Sequence, residues 1–239
     1  MVFLGVFILA SQIIAMGGGG FSMEPENPLL DQYILNQTNV KKPKICFIPT
    51  ASGDSDGYIN RFMNAFRSLD CEPDYLSLYQ PPQSIESFVM AQDILYVGGG
   101  NTKNLLALWR AWGLDTILYR AWKKGTILAG LSAGSICWFE QGLTDSIPGK
   151  ITPITCLGFL NGSNCPHFDG ETSRRPAYLD ALSEGKIKEG IATDDGVALH
   201  YIDGTLKRIV SSRQEAYAYH MRLKDGNVIE DRLNPHYLG

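Results

Sequence analysis

Gly130-Leu131-Ser132-Ala133-Gly134 fits the pattern G-x-S-x-G. An apolar run, Thr126–Ala129, stands just before it and a helical pattern, Ala133–Glu140, follows. A serine on a sharp strand-to-helix turn is lifted clear of the backbone, and only small neighbours tolerate that turn. The helix that follows would aim its N–H groups and the positive end of its dipole at the same place. The chemistry this implies is attack by a hydroxyl on a carbonyl carbon. A serine that merely caps a helix is the simpler reading, but the correct flanks on both sides favour a nucleophile.

A serine nucleophile needs a base, and the chain has only four histidines. His200 and His220 fall inside apolar alternating runs and His236 lies three residues from the end, so each reads as a packed or surface histidine. His167 differs, because it closes the loop Asn161-Gly162-Ser163-Asn164-Cys165-Pro166-His167. Proline fixes its own φ and restricts the residue before it, which suits a rigidly posed loop. The base in turn needs an orienting acid. Asp195, just before a hairpin, and Asp145, in the loop Gly142–Ser146, are both candidates. Chain order argues against an α/β-hydrolase, where the acid precedes a histidine near the C-terminus. Here His167 follows Ser132 by only 35 residues, with 72 still to come.

A second glycine cluster, Gly98-Gly99-Gly100, follows the apolar run Asp93–Val97 and precedes Asn101 and Thr102, either of which can cap the next helix. Bare backbone N–H groups at Gly99 and Gly100, beside that of Ala133, would form an oxyanion hole. Asn101 is a further candidate to contact substrate. A phosphate loop is the rival, but G-x-x-x-x-G-K-[ST] is absent, and Gly17–Gly20 does not extend to G-x-G-x-x-G because Ser22 occupies the last position. Asp54-Ser55-Asp56-Gly57 lacks the glutamate a calcium loop needs eleven residues on, where Ala65 stands. No metal or cofactor is expected.

These residues must be positioned by something. Short apolar runs at Ile13–Met16, Lys44–Ile48, Tyr75–Leu78, Asp93–Val97 and Thr126–Ala129 alternate with helical patterns at Tyr58–Leu69, Ser84–Ala91, Thr102–Trp112, Asp115–Lys123 and Ala133–Glu140. Such alternation predicts βαβ units and a doubly wound, mostly parallel α/β sheet flanked by helices. Ligands of such sheets bind beyond the carboxyl ends of the strands, where the glycine clusters and Ser132 fall. After about residue 185, Asp203-Gly204 and Asp225-Gly226 between apolar runs predict two antiparallel hairpins that extend the sheet. Residues 141–172, rich in Gly, Pro and Asn, read as one long irregular and functional stretch.

The 239 residues suit one domain, with 13–239 as the folded unit and 1–12 as an N-terminal extension. The opening MVFLGVFILA is apolar, but no Lys or Arg precedes Lys41 and the stretch is too short to span a bilayer; an extension before the first strand is preferred to an export signal. A net charge of −4, with no Lys/Arg run longer than two, argues against nucleic acid. Five cysteines with no C-x-x-C spacing argue against a disulfide framework or structural zinc, and fit a reducing cytoplasm.

Taken together, Gly98-Gly99-Gly100-Asn101-Thr102, Gly130–Ser135 and Asn164-Cys165-Pro166-His167-Phe168 resemble the peptidase E (aspartyl dipeptidase) family of serine peptidases over residues 12–235. The resemblance implies a fold similar to class I glutamine amidotransferases, with serine in place of cysteine. It implies Ser132 as nucleophile and His167 as base, with Asp145 or a carboxylate matching Asp195 as the third member. Peptidase E proteins often carry Glu at the latter place, so Asp195 is a departure; its position at a strand end favours it over Asp145. The family also implies a small peptide substrate, cleaved after an N-terminal Asp whose carboxylate is held by an Arg beyond the histidine. Arg174 and Arg175 lie in that region, and a bidentate guanidinium suits a carboxylate; a pair starting a helix and facing solvent is the competing reading. A soluble monomer or homodimer without membrane contact is expected. Two rival functions remain on the same residues: a non-catalytic amidotransferase-like binding module, and an esterase or amidase.

Overall fold

The computed structural model describes residues 10–239. The first half runs β1 (Gln12–Met16), α1 (Gly20–Met23), α2 (Leu29–Leu35), β2 (Lys44–Ile48), α3 (Asp56–Arg67), β3 (Glu72–Tyr75), α4 (Ile85–Met90), β4 (Ile94–Val97), α5 (Thr102–Trp112), α6 (Leu114–Lys123), β5 (Ile127–Leu131) and α7 (Ala133–Ile136). The second half runs β6 (Phe139–Ile147), β7 (Lys150–Thr155), β8 (Leu160–Cys165), α8 (Arg174–Ser183), β9 (Gly190–Thr193), β10 (Val197–Ile202), β11 (Thr205–Ser211), β12 (Ala218–Lys224), β13 (Asn227–Leu233) and β14 (His236–Tyr237).

The strands form two sheets rather than one. The larger has the order β14-β11-β10-β1-β5-β4-β2-β3, and the smaller β13-β12-β9-β8-β6-β7. From β1 through β5, β4 and β2 to β3 every pairing is parallel, as the alternation of runs and helices predicts. Past Gln12 and Lys44 at their starts, the central strands are apolar because both faces are covered. Along β1, Ile13 and Ala15 join one core with Leu118, Trp109 and Trp138. Ile14 and Met16 face the opposite core, built around Phe21, Phe47, Phe62, Phe66 and Tyr96.

Both hairpins form, and each has two successive residues at positive φ, Asp203-Gly204 and Asp225-Gly226, as a two-residue type I′ turn requires. Only the first extends the large sheet, through β10 against β1. The second extends the small sheet, through β12 against β9.

The stretch 141–172 is not one long loop: most of it is β6, β7 and β8. Its composition hid the strands. Pro153 sits on β7, an edge strand where a missing N–H is tolerated. Ser163 and Asn164 of β8 are polar yet fully buried, with their side chains bonded internally. α7 ends at Ile136, not Glu140, because Phe139 onward pairs with β8. β3 comes earlier than Tyr75–Leu78; Leu76 and Leu78 are nevertheless buried, just past the strand. Of the expected extension 1–12, residues 1–9 lie outside the described residues, and Gln12 already pairs with Ile202. Among the described residues no helix is long and apolar enough to cross a membrane.

Candidate active site

Ser132 joins β5 to α7 with φ 56° and ψ −116°, a conformation a non-glycine residue holds only when its surroundings impose it. Three backbone contacts impose it here. The Ser132 N–H donates to the Met16 carbonyl of β1 at 3.2 Å. A Cβ on Gly130 would lie 2.5 Å from the Gly134 carbonyl oxygen, and one on Gly134 would lie 2.2 Å from that of Val97. The chain can therefore turn this tightly against β4 only with glycine at both positions. With four residues, α7 carries a far weaker dipole than a helix reaching Glu140 would.

His167 follows β8 and Pro166, also at positive φ (54°). Its Nδ1 lies 2.6 Å from Asp195 Oδ1, with both side chains largely buried. Asp195 itself sits in the turn from β9 to β10. Its N–H donates to Asp169 Oδ1 at 2.7 Å. Its carboxylate is enclosed by two glycines: a Cβ on Gly18 would lie 2.0 Å from Oδ1, and one on Gly170 would lie 2.4 Å from Oδ2. Within the run Gly17–Gly20, unassigned from sequence, Gly18 is therefore part of the wall against which the carboxylate packs. Asp145 sits elsewhere, with a side chain 60% exposed and Oδ1 3.4 Å from Arg174.

Ser132 and His167 follow strands of different sheets, and a buried bond joins the neighbouring elements α7 and β8. Ser135 Oγ of α7 donates to Asn164 Oδ1 of β8 at 2.9 Å, and Asn164 Nδ2 donates to the Ile191 carbonyl of β9 at 2.9 Å. Gly142 brings β6 close as well, since a Cβ there would lie 2.0 Å from Ile136.

In the second glycine loop most N–H groups are engaged. Gly98 donates to the Ile48 carbonyl and Asn101 to the Ala51 carbonyl. Gly99, expected as an oxyanion donor, instead donates to the Tyr58 hydroxyl at 3.2 Å. Gly100 is the one residue of 98–101 whose N–H meets no acceptor among the described residues. Its φ of 136° and a Cβ distance of 2.2 Å to the Ala51 carbonyl oxygen exclude any other residue there. Gly99 flanks Ser132: a Cβ on it would lie 3.2 Å from Ser132 Cβ.

Three expected substrate contacts are already occupied. Asn101 caps α5 by accepting from the Asn104 N–H, and its amide donates to the Ser146 carbonyl. Arg174 is 2% exposed, not solvent-facing; it binds the Leu143 carbonyl, Glu171 and Asp145, and so ties α8 to β6. Arg175 pairs with Glu230 while its guanidinium lies over Phe168 and Tyr219. Beside Asp195, burial raises the Asp194 carboxyl to about 6, although it accepts from the Tyr217 N–H. His200 is buried between Tyr33 and Gln12, and burial lowers it to about 4, so it is a neutral core histidine at physiological pH.

An α/β sheet bearing a strained serine elbow, with a buried His–Asp pair on a neighbouring sheet, has the parts a serine hydrolase uses. The family model for peptidase family S51 matches residues 13–209. A protein of Bacillus subtilis (strain 168) described as uncharacterized peptidase YgaJ is 58% identical over 229 residues, 95% of this chain and 99% of that one. The chain therefore belongs to peptidase family S51, and it is a serine-type peptidase. The same fold occurs in the crystal structure of a peptidase from an acI-B1 Actinobacterium, at a TM-score of 0.66 and 21% identity, covering 95% of this chain and 96% of that one.

Proposed function

We propose that the chain hydrolyses short peptides through an acyl-enzyme on Ser132, with His167 as general base and Asp195 as the orienting acid. The 2.6 Å contact between His167 Nδ1 and Asp195 supports this most directly. With Nδ1–H donated to Asp195, Nε2 is left as the lone-pair nitrogen. It takes the Ser132 proton during attack and returns it to the leaving amine. Asp195 stabilises the imidazolium formed in between. Asp145 is set aside as the acid because it serves Arg174. The N–H groups of Gly100 and Ala133 would receive the tetrahedral oxyanion, with Gly99 lining the approach to Ser132. Residues 13–239 act as one unit in this reading, since β1 supports the elbow and pairs with β10, and the loop after it walls the acid through Gly18.

Selectivity for an N-terminal Asp would fall to Arg175, whose Glu230 partner must yield to a substrate carboxylate. The test is a fluorophosphonate label followed by a panel of dipeptides and tripeptides differing in the first residue. Labelling confined to Ser132 and peptide turnover are expected. Faster turnover of Asp-first peptides supports Arg175 as the specificity residue; equal turnover across the panel removes Asp specificity. Failure to label Ser132 in folded protein removes the mechanism.

A further inference from the structure

The Tyr58 hydroxyl has no role in the proposed reaction, yet it is the group that reaches the loop beside the nucleophile. Tyr58 lies in the first turn of α3 and is 6% exposed. Its ring is held by stacking on Phe21 at 5.5 Å and by an edge contact with Phe47 at 5.1 Å. The loop is shaped to admit it. A Cβ on Gly98 would lie 2.9 Å from the Tyr58 ring and 2.8 Å from that of Phe47, so only glycine lets the phenol pass. Beyond Gly98 the hydroxyl accepts the Gly99 N–H at 3.2 Å, and Gly99 packs on Ser132. Asn101 is fixed on the other side by its bond to Ala51. The loop is thus pinned at both neighbours of Gly100, which keeps its own N–H for something else.

We infer that Tyr58 is a positioning residue of the oxyanion site: by binding the Gly99 N–H it fixes the loop against Ser132 and leaves the Gly100 N–H as the loop's donor to the reacting carbonyl oxygen. The inference rests on Ser132 being the nucleophile. It corrects the assignment of Gly99, which supplies shape rather than a hydrogen bond to substrate. A donor held in place matters most when charge develops on the oxygen, so the effect belongs to the transition state and not to substrate binding.

Tyr58→Phe removes only the hydroxyl and keeps the ring stack. The expected result is a fall in kcat of about 10- to 100-fold, the range of a misplaced catalytic group up to loss of a donor, with KM changed by less than about threefold. Affinity for a peptide boronate, a transition-state analogue, should fall in parallel, while affinity for the product peptide stays level. A Tyr58→Phe enzyme that is folded and has unchanged kcat and boronate affinity overturns the inference. The unaltered enzyme provides a second measurement that no folding defect can confound. In the crystal structure of its phosphonyl adduct, the phosphoryl oxygen should contact the Gly100 and Ala133 N–H groups, with Gly99 still bonded to Tyr58. An oxygen seated on the Gly99 N–H overturns the inference alone. An adduct absent from Ser132 overturns the nucleophile assignment and this inference with it.

Discussion

The two halves of the site are held by different means. On the large sheet, Ser132 is placed by backbone: its N–H on Met16, and the bare Cα atoms of Gly130 and Gly134 pressed against carbonyl groups. On the small sheet, His167 is placed by side chains: Asp195 on the imidazole, Asp169 on the Asp195 N–H, and Asn164 at the base of the loop. Backbone packing is close to all-or-none, because a carbonyl oxygen 2.2 Å from a new Cβ cannot rotate away. Hydrogen-bonded side chains fail by degrees, each costing about 1–3 kcal/mol when a buried partner is orphaned. The serine half is therefore brittle towards changes of shape, and the histidine half is graded towards changes of polarity.

The largest effect that sharpens this contrast is chemical. Ser132→Ala changes neither backbone nor glycines, so it should fold with an unchanged thermal midpoint and lose about 10⁶-fold in kcat. Steady-state hydrolysis and a melting curve on one preparation check both; a large drop in midpoint would show that the hydroxyl itself supports the elbow. Next comes Asp195→Asn, which preserves shape but favours the wrong histidine tautomer, and should cost up to about 10⁴-fold in kcat. Asp145→Asn should change kcat by only a few-fold. If their order is reversed, the histidine half is organised around Arg174 and not around Asp195.

A smaller effect probes the bond between the halves. Asn164→Ala leaves Ser135 Oγ and the Ile191 carbonyl without partners, for a loss of about 2–4 kcal/mol in denaturant unfolding. Unchanged stability would mean the sheets are joined by apolar packing alone.

The smallest effect concerns Asp31, a buried carboxyl beside the aromatic core of the large sheet. Asp31 accepts from the Phe21 N–H at 2.7 Å and is 2% exposed; burial raises it to about 7. Unfolded, it titrates near 4. Between those values the folded chain holds the extra proton, so Asp31 makes stability fall as pH rises from about 4 to 7. Asp31→Asn does not titrate and should remove that fall. The stability of the variant relative to the unaltered chain should improve by on the order of 1–3 kcal/mol between pH 5 and pH 8. A difference that is flat with pH would show that Asp31 is ionised in the fold.

The same contrast explains what could be read from the chain alone. The parallel half was legible because its signals are local: apolar runs such as Ile94–Val97, glycines after them, and a helix at Thr102–Trp112. G-x-S-x-G marked the elbow for the same reason. Of the small sheet only the Asp225-Gly226 hairpin was legible, again from a local turn signal; its remaining strands were not. β8 reads Leu-Asn-Gly-Ser-Asn-Cys, and its strand character comes from tertiary bonds to Tyr178, Lys188, Ser135 and Ile191 that no window of sequence contains. His167 was singled out by its loop after Pro166 and by eliminating three other histidines, and its contact with Asp195 is a tertiary one. The roles of Gly18, Gly170 and Asn164 emerge only once strands distant in sequence are side by side. Tyr58 was passed over as one aromatic residue of an amphipathic helix.

The enclosure of Asp195 by Gly18 and Gly170 constrains how this site could be redesigned. Positions 18, 170 and 195 lie in three separate segments, but they share one small volume and cannot be varied independently. A longer acid at 195 would carry its carboxylate out of the slot and into the imidazole. A side chain at 18 or 170 would push a shorter one away from it. The reach of the acid is therefore encoded less in residue 195 than in two residues that have no side chain. An engineer who wished to lengthen the acid would have to move the β1 loop or the segment after His167 first. The empty side of a glycine here acts as a ruler.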